Sequence, residues 1–244
     1  MRILRIACTA ALAALTIGTA KADVIPLTSG DIGTSFSVGY NGFADGSPID
    51  GLTGSIGFTL TGVTGSSYLF DYTVNNTSSN PILTSRISGF GFNTNPDIVG
   101  ATSTGVYDTV GTDANVPNIG TVDVCFKGGG GINSCAGGGG GGVTLGDTGS
   151  GTLSLDFGSV LSSIDLSDFF VRYQSITGTG AGTPSSAVGT GTISSTGGSS
   201  GGSSGGSSGG TPVPEPADFA LFGLGVLGLA IGRRGARRAT RMAA

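Results

Sequence analysis

In Tyr68-Leu69-Phe70-Asp71-Tyr72-Thr73-Val74 the residues at 68, 70, 72 and 74 are aromatic or aliphatic, with Asp71 and Thr73 between them. A period of two puts alternate side chains on opposite faces of a strand, so this stretch describes a sheet with one face buried. The same alternation runs through much of Ser35-Phe36-Ser37-Val38, Ile56-Gly57-Phe58-Thr59-Leu60 and Leu153-Ser154-Leu155-Asp156-Phe157. Between such runs stand Asn75-Asn76, Ser79-Asn80-Pro81, Asn95-Pro96-Asp97 and many glycines, which accept the left-handed or proline-fixed corners of tight turns. No internal stretch shows a helical period with caps, although Leu161 to Asp168 has room for one helical turn. The expectation is an all-β, Gly-rich single domain, a β-sandwich or jelly-roll-like arrangement, over residues 23–193, a length that supports one core.

Two strands carry distinctive text. Ile87 to Thr94 places Ile87, Gly89, Gly91 and Asn93 on one face and Phe90 and Phe92 on the other; the glycine face would let a backbone or a ring approach closely. Leu166 to Ile176 sends Phe169, Val171 and Tyr173 one way, toward the core, and Phe170, Arg172 and Gln174 the other. Between these strands Cys125 and Cys135, with nine residues between them, bracket a loop followed by Gly137 to Gly142. In an exported chain the two cysteines are expected to form a disulfide. Closing so short a loop contributes about 2 to 3 kcal/mol on the chain-entropy model.

The ends of the chain read differently from its middle. Arg2 and Arg5, an apolar run from Ile6 to Ile17 and Ala20-Lys21-Ala22 have the layout of a secretory signal peptide, residues 1–22, with a helical apolar core and cleavage between Ala22 and Asp23. Cys8 sits too early, inside the apolar run, to be a lipidated residue. Residues 194–211 are a Gly/Ser linker, a flexible tether with a reach of about 23 Å. Then come Pro212-Val213-Pro214-Glu215-Pro216, an apolar helix expected at 217–232, and Arg233, Arg234, Arg237, Arg238 and Arg241. The helix would be roughly 24 Å long, short against a hydrocarbon core of about 30 Å, and the arginines favour the cytoplasmic side.

This order of Pro-Glu-Pro, short apolar helix and arginine cluster over 212–241 resembles the PEP-CTERM sorting signal of Gram-negative bacteria that make exopolysaccharide. The resemblance implies recognition at Val213, Pro214, Glu215 and Pro216 by an exosortase, a membrane-embedded cysteine protease. It implies an inner-membrane-anchored precursor, a transient stay in that membrane, and delivery to the cell surface or extracellular matrix. The cysteine and glycine stretch followed by Asp168-Phe169-Phe170-Val171-Arg172-Tyr173 is similar to the subgroup called cistern family PEP-CTERM proteins, which brings no established activity.

Charge narrows the function classes. Between Asp23 and Val213 there are thirteen aspartates, no glutamate, and only Arg86, Lys127 and Arg172, a formal charge of −10 (3 − 13). Such a surface repels nucleic acid and anionic lipid. No histidine occurs, which removes Ser-His-Asp triads, Cys-His nucleophiles and histidine-ligated zinc in their usual forms. Asp147-Thr148-Gly149-Ser150 matches the core of an aspartic protease site, but the string follows a polyglycine run and has no second copy. The expectation is therefore no enzyme and no cofactor; structural calcium is the exception that an acidic exported domain leaves open, without nameable ligands.

What remains is a structural or adhesive protein of the cell surface or biofilm matrix. The alternative is an exopolysaccharide-binding module, for which Tyr40, Tyr107 and Tyr173 are the candidate stacking rings in a chain without tryptophan. Ice binding is a third reading, resting on Thr59 with Thr61, Thr102 with Thr104 and Thr190 with Thr192, pairs that do not repeat at a fixed period.

Overall fold

The computed structural model of the 244-residue chain describes residues 23–130, 134–136, 140–178 and 184–197. The signal helix expected at 1–22, the linker beyond residue 197 and the sorting tail with its helix at 217–232 lie outside the described residues. Within them the chain is strand after strand. These are β1 (Ile25–Thr28), β2 (Ser35–Ala44), β3 (Ser47–Thr64), β4 (Ser67–Asn75), β5 (Thr84–Asn95) and β6 (Gly100–Ser103), then β7 (Thr109–Val116), β8 (Gly120–Lys127), β9 (Val143–Thr144), β10 (Thr148–Asp156), β11 (Ser163–Thr177) and β12 (Ser186–Gly197). The one helical element among the described residues is a 3-10 turn, Ser29–Asp31, where Asp31 Oδ2 accepts from Thr28 N at 2.8 Å and Thr28 Oγ1 from Gly30 N at 3.2 Å.

The all-β expectation holds. Strands that a sandwich would divide between two sheets are here joined in one antiparallel sheet, ordered β6-β10-β4-β3-β2-β12-β11-β5-β8-β7, with β1 added to β11 and β9 to β5. That sheet is nearly barrel-shaped. Its two end strands are consecutive in sequence, and residues 104–108 cross between them: Thr104 N and Val106 N continue along β10 to Thr152 O and Ser150 O, at 2.9 and 3.3 Å. Tyr107 then turns inward, its hydroxyl donating to Ile87 O at 2.7 Å.

Alternation fills the interior. On β4, Tyr68, Phe70, Tyr72 and Val74 are each at most 1 % exposed, as the period of two requires. Phe58 on β3 sits among four rings, with centroids at 5.1 Å (Phe36), 5.8 Å (Phe90) and 6.0 Å (Phe92 and Phe169). Offset and edge contacts of this kind add about 0.5–1.5 kcal/mol each beyond the area they bury. The interior is thus a packed aromatic core.

Phe169, Val171 and Tyr173 face that core, as their spacing indicates. The glycine face of β5 is also used as expected: a Cβ on Gly91 would stand 2.6 Å from the Phe170 ring, and one on Gly89 3.3 Å from the Lys127 stem. Three expectations need correction. Ile87 does not share that face. It packs in the core with Phe90, because the β11–β5 register shifts between Arg172 and Tyr173 and reverses the phase before Gly89. The helical turn at Leu161 to Asp168 is absent; from Ser163 the chain is already β11, and Leu166 to Ser163 pair with β1. Finally, β12 runs to Gly197, paired with Ser35 of β2, so the first four residues of the expected linker are strand.

Candidate functional site

The stretch the sequence could not read is a loop fastened to the outside of the sheet. Cys125 and Cys135 are bonded, with Cα atoms 6.1 Å apart. Cys125 lies on β8, and Cys135 packs with Ala114, Val116, Val122, Phe170 and Val188 in a second apolar cluster, on the side of β11 and β12 away from the aromatic core. The residues of β11 expected to face away from that core therefore have a cover of their own. Ser134 forms a parallel bridge with Asn115, and Cys135 N donates to Asn115 O at 3.1 Å, which blunts part of the free edge of β7.

The three cations of residues 23–193 gather at this loop. Arg172 Nε and Gln174 Nε2 both donate to Ala136 O, at 3.2 and 2.8 Å, and Lys127 Nζ donates to Ser134 O at 2.5 Å. Arg86 Nη2 donates to Gln174 Oε1 at 2.9 Å, behind that pair. Arg172 also reaches Ala187 O and Ser186 Oγ on β12. Arg172 and Lys127 are only 7 % and 1 % exposed, and burial lowers the pKa of both. Lys127 and Arg172 hold peptide carbonyls of the loop, and Arg86 braces Gln174, so the loop is a fastened cover. Sequence reasoning found the disulfide but missed the pegs; the available signal was that all three cations fall on strands flanking the cysteine loop.

The other candidates separate clearly. Tyr40, Tyr107 and Tyr173 are 3 %, 0 % and 0 % exposed, and Tyr68 and Tyr72 are as deeply buried, so no tyrosine offers a stacking face. Burial raises the pKa of all five phenols. Asp147 is exposed in the turn before β10, where its carboxylate accepts from Thr144 Oγ1. Among the described residues no group of three or more carboxylates or cysteines is placed to hold a metal ion. Asp23, at the expected cleavage junction, accepts from Ile193 N at 2.9 Å and helps line a cleft of about 460 Å³ that also contains Asn93, Asp168 and Phe169.

A different surface comes from register. On the outer face of β2, β3, β4 and β10, Ser35, Thr59, Asp71 and Thr152 form one cross-strand row. Ser37, Gly57, Thr73 and Ser150 form the next, and Gly39, Ser55, Asn75 and Thr148 the third. Strands lie about 4.8 Å apart and like-facing residues about 6.8 Å apart along a strand, so this is a regular lattice. Side chains within it are fixed to one another: Ser35 Oγ to Thr59 Oγ1 is 2.8 Å, and Thr148 Oγ1 donates to the amide oxygen Asn75 Oδ1 at 2.7 Å. Gly57 leaves a depression of about 290 Å³ between Ser35, Ser37, Thr59, Asp71 and Thr73. The Thr59–Thr61, Thr102–Thr104 and Thr190–Thr192 pairs are likewise on outer faces, but on three separate strands or strand extensions.

The described domain thus has no visible catalytic constellation, and the remaining sequence signal is the tail. Residues 212–238 match the family model of the PEP-CTERM protein-sorting motif. The chain carries a PEP-CTERM sorting motif. The match indicates an exosortase-sorted extracellular protein, consistent with a membrane-anchored precursor. It contains Val213, Pro214, Glu215, Pro216, Arg233, Arg234, Arg237 and Arg238, all outside the described residues. No curated protein and no solved structure matches the chain.

Proposed function

We propose that this PEP-CTERM protein is a non-enzymatic structural or adhesive component of the cell surface or polysaccharide matrix, delivered by exosortase processing. The observation that carries the reading is the sorting motif at 212–238, attached to a domain whose buried polar side chains serve packing. Buried cations hold a covering loop, all tyrosines are in the core, and Asp147 bonds within its own turn. The absence of histidine from the whole sequence supports the same view. Such a component needs a stable body and an accessible outer surface, and the disulfide and aromatic core supply the first.

The test is fractionation of the producing cells into inner membrane, outer surface, matrix extract and medium, with a deletion strain scored for matrix or floc formation. The expected result is protein in the surface or matrix fraction and a weakened matrix in the deletion strain. Protein confined to the inner membrane, with an unchanged matrix, would contradict it.

A further inference from the structure

We infer that the hydroxyl lattice on β2, β3, β4 and β10 is a docking surface for a neutral polysaccharide chain, with one sugar unit seated over Gly57 beside Asp71. The inference rests on the matrix reading for its setting and on the lattice for its chemistry.

Charge selects the occupant. Of the thirteen aspartates between Asp23 and Val213, Asp71 alone stands in the three rows, and the rows contain no cation and no large apolar side chain. A protein partner normally presents aromatic and apolar residues to an apolar centre, and a lipid surface also needs such a face. Among the described residues the exposed large hydrophobics, Val24, Ile32, Leu83, Val99 and Val160, all lie elsewhere. A hydroxyl donates one bond and accepts two, so rows of Ser and Thr match a ligand made of hydroxyls without requiring a fixed direction of donation. Single exchanges of this kind against water gain little, so binding accumulates over a repeating chain laid along repeating rows.

Gly57 provides the local specificity. Its missing side chain opens the depression, Ser35, Ser37, Thr59 and Thr73 form its polar walls, and the strand backbone at Phe36 and Phe58, whose rings are buried in the core, completes its lining. A side-chain-free floor at Gly57 inside a rim of hydroxyls has room for a sugar ring and matches its peripheral hydroxyls. The Asp71 carboxylate can accept from two neighbouring sugar hydroxyls, and charge-assisted bonds are the stronger kind. With every tyrosine buried, recognition uses this rim and does not use ring stacking.

The Gly57 position also supplies a clean test. A Cβ there meets nothing within 4 Å and its φ is not in the left-handed region, so the side chain of Gly57→Val starts from open space and projects into the depression. The exported protein is run in native gels cast with hydroxyethylcellulose, with dextran, with alginate and with no polymer. Retardation is expected in at least one neutral gel, with the apparent dissociation constant raised at least five-fold by Gly57→Val and by Asp71→Asn, while circular dichroism and unfolding midpoint stay unchanged. If Gly57→Val fails to fold, Asp71→Asn and Thr73→Val carry the test. No retardation in either neutral gel, retardation in alginate alone, or equal retardation of wild type and variants would overturn the inference. Concentration-dependent self-association lost in Gly57→Val would assign the lattice to a second copy of the chain and also overturn it. Matrix-located protein without gel retardation sinks the docking surface alone; retardation by a protein absent from the matrix sinks the matrix reading alone.

Discussion

The Tyr72 hydroxyl accepts from the Tyr107 amide at 3.1 Å and donates to Thr104 O at 2.8 Å, so one phenol on β4 holds the crossing that joins the two ends of the sheet. Tyr72→Phe leaves a buried N–H and a carbonyl without that partner, a loss of about 1–3 kcal/mol. Tyr173→Phe is the control, because the Tyr173 hydroxyl is buried with no hydrogen-bond partner. Urea unfolding is expected to show a clear drop for the first substitution and no loss, or a small gain, for the second.

Alkaline pH tests the same phenols. Burial raises the pKa of all five tyrosines, so the folded state keeps protons that the unfolded chain releases above about pH 10. Stability is therefore full below that pH and falls as pH rises toward the higher folded values. Absorbance at 295 nm is expected to stay flat past pH 10 and then rise together with loss of the β circular dichroism signal. Gradual phenol ionisation near pH 10 in a still-folded protein would contradict the buried placement.

Two glycines separate close approach from open surface. Gly91→Ala drives a methyl into Val124 O and the Phe170 ring and is expected to cost about 1–3 kcal/mol, as overpacking does. Gly57→Ala meets open space and is expected to be neutral within about 0.5 kcal/mol. Paired denaturant curves decide this directly.

Replacing Cys125 and Cys135 by Ser removes the tether of the covering loop and is expected to lower stability by about 2–3 kcal/mol while the sheet persists. Thiol labelling of native protein is expected to leave both cysteines unmodified. Labelling of either without reductant would show the bond unformed in the exported protein.

Mass spectrometry of exported material is expected to find a chain beginning near Asp23 and ending near Pro214-Glu215-Pro216, without the arginine cluster. Glu215→Ala is expected to leave the tail attached and the protein in the inner membrane. An intact tail on exported wild-type protein would remove processing from the account.

The strands were legible because a half-buried sheet writes a period of two, as at Tyr68 to Val74. The disulfide was legible because compartment and spacing suffice. Ile87 was not, since a register shift at Arg172/Tyr173 comes from pairing with a distant strand and leaves no local mark. One continuous sheet in place of a sandwich was equally hidden: strand order depends on partners up to 162 positions away (197 − 35), as the Ser35–Gly197 pair of β2 and β12 illustrates. The lattice was out of reach for the same reason, because Ser35, Thr59, Asp71 and Thr152 become a row only through register.

Strand β12, the last among the described residues, lies between β2 and β11 and is paired on both sides at Val188 to Thr190. Mechanical load applied through the chain beyond Gly197 therefore enters at an interior strand. Pulling along it loads the ladder to β2 first, over Gly191 to Gly197, and reaches the ladder to β11 only at Thr190. The pulled end is thus held by one ladder, and the doubly paired stretch Val188 to Thr190 stands behind it as the second point of resistance.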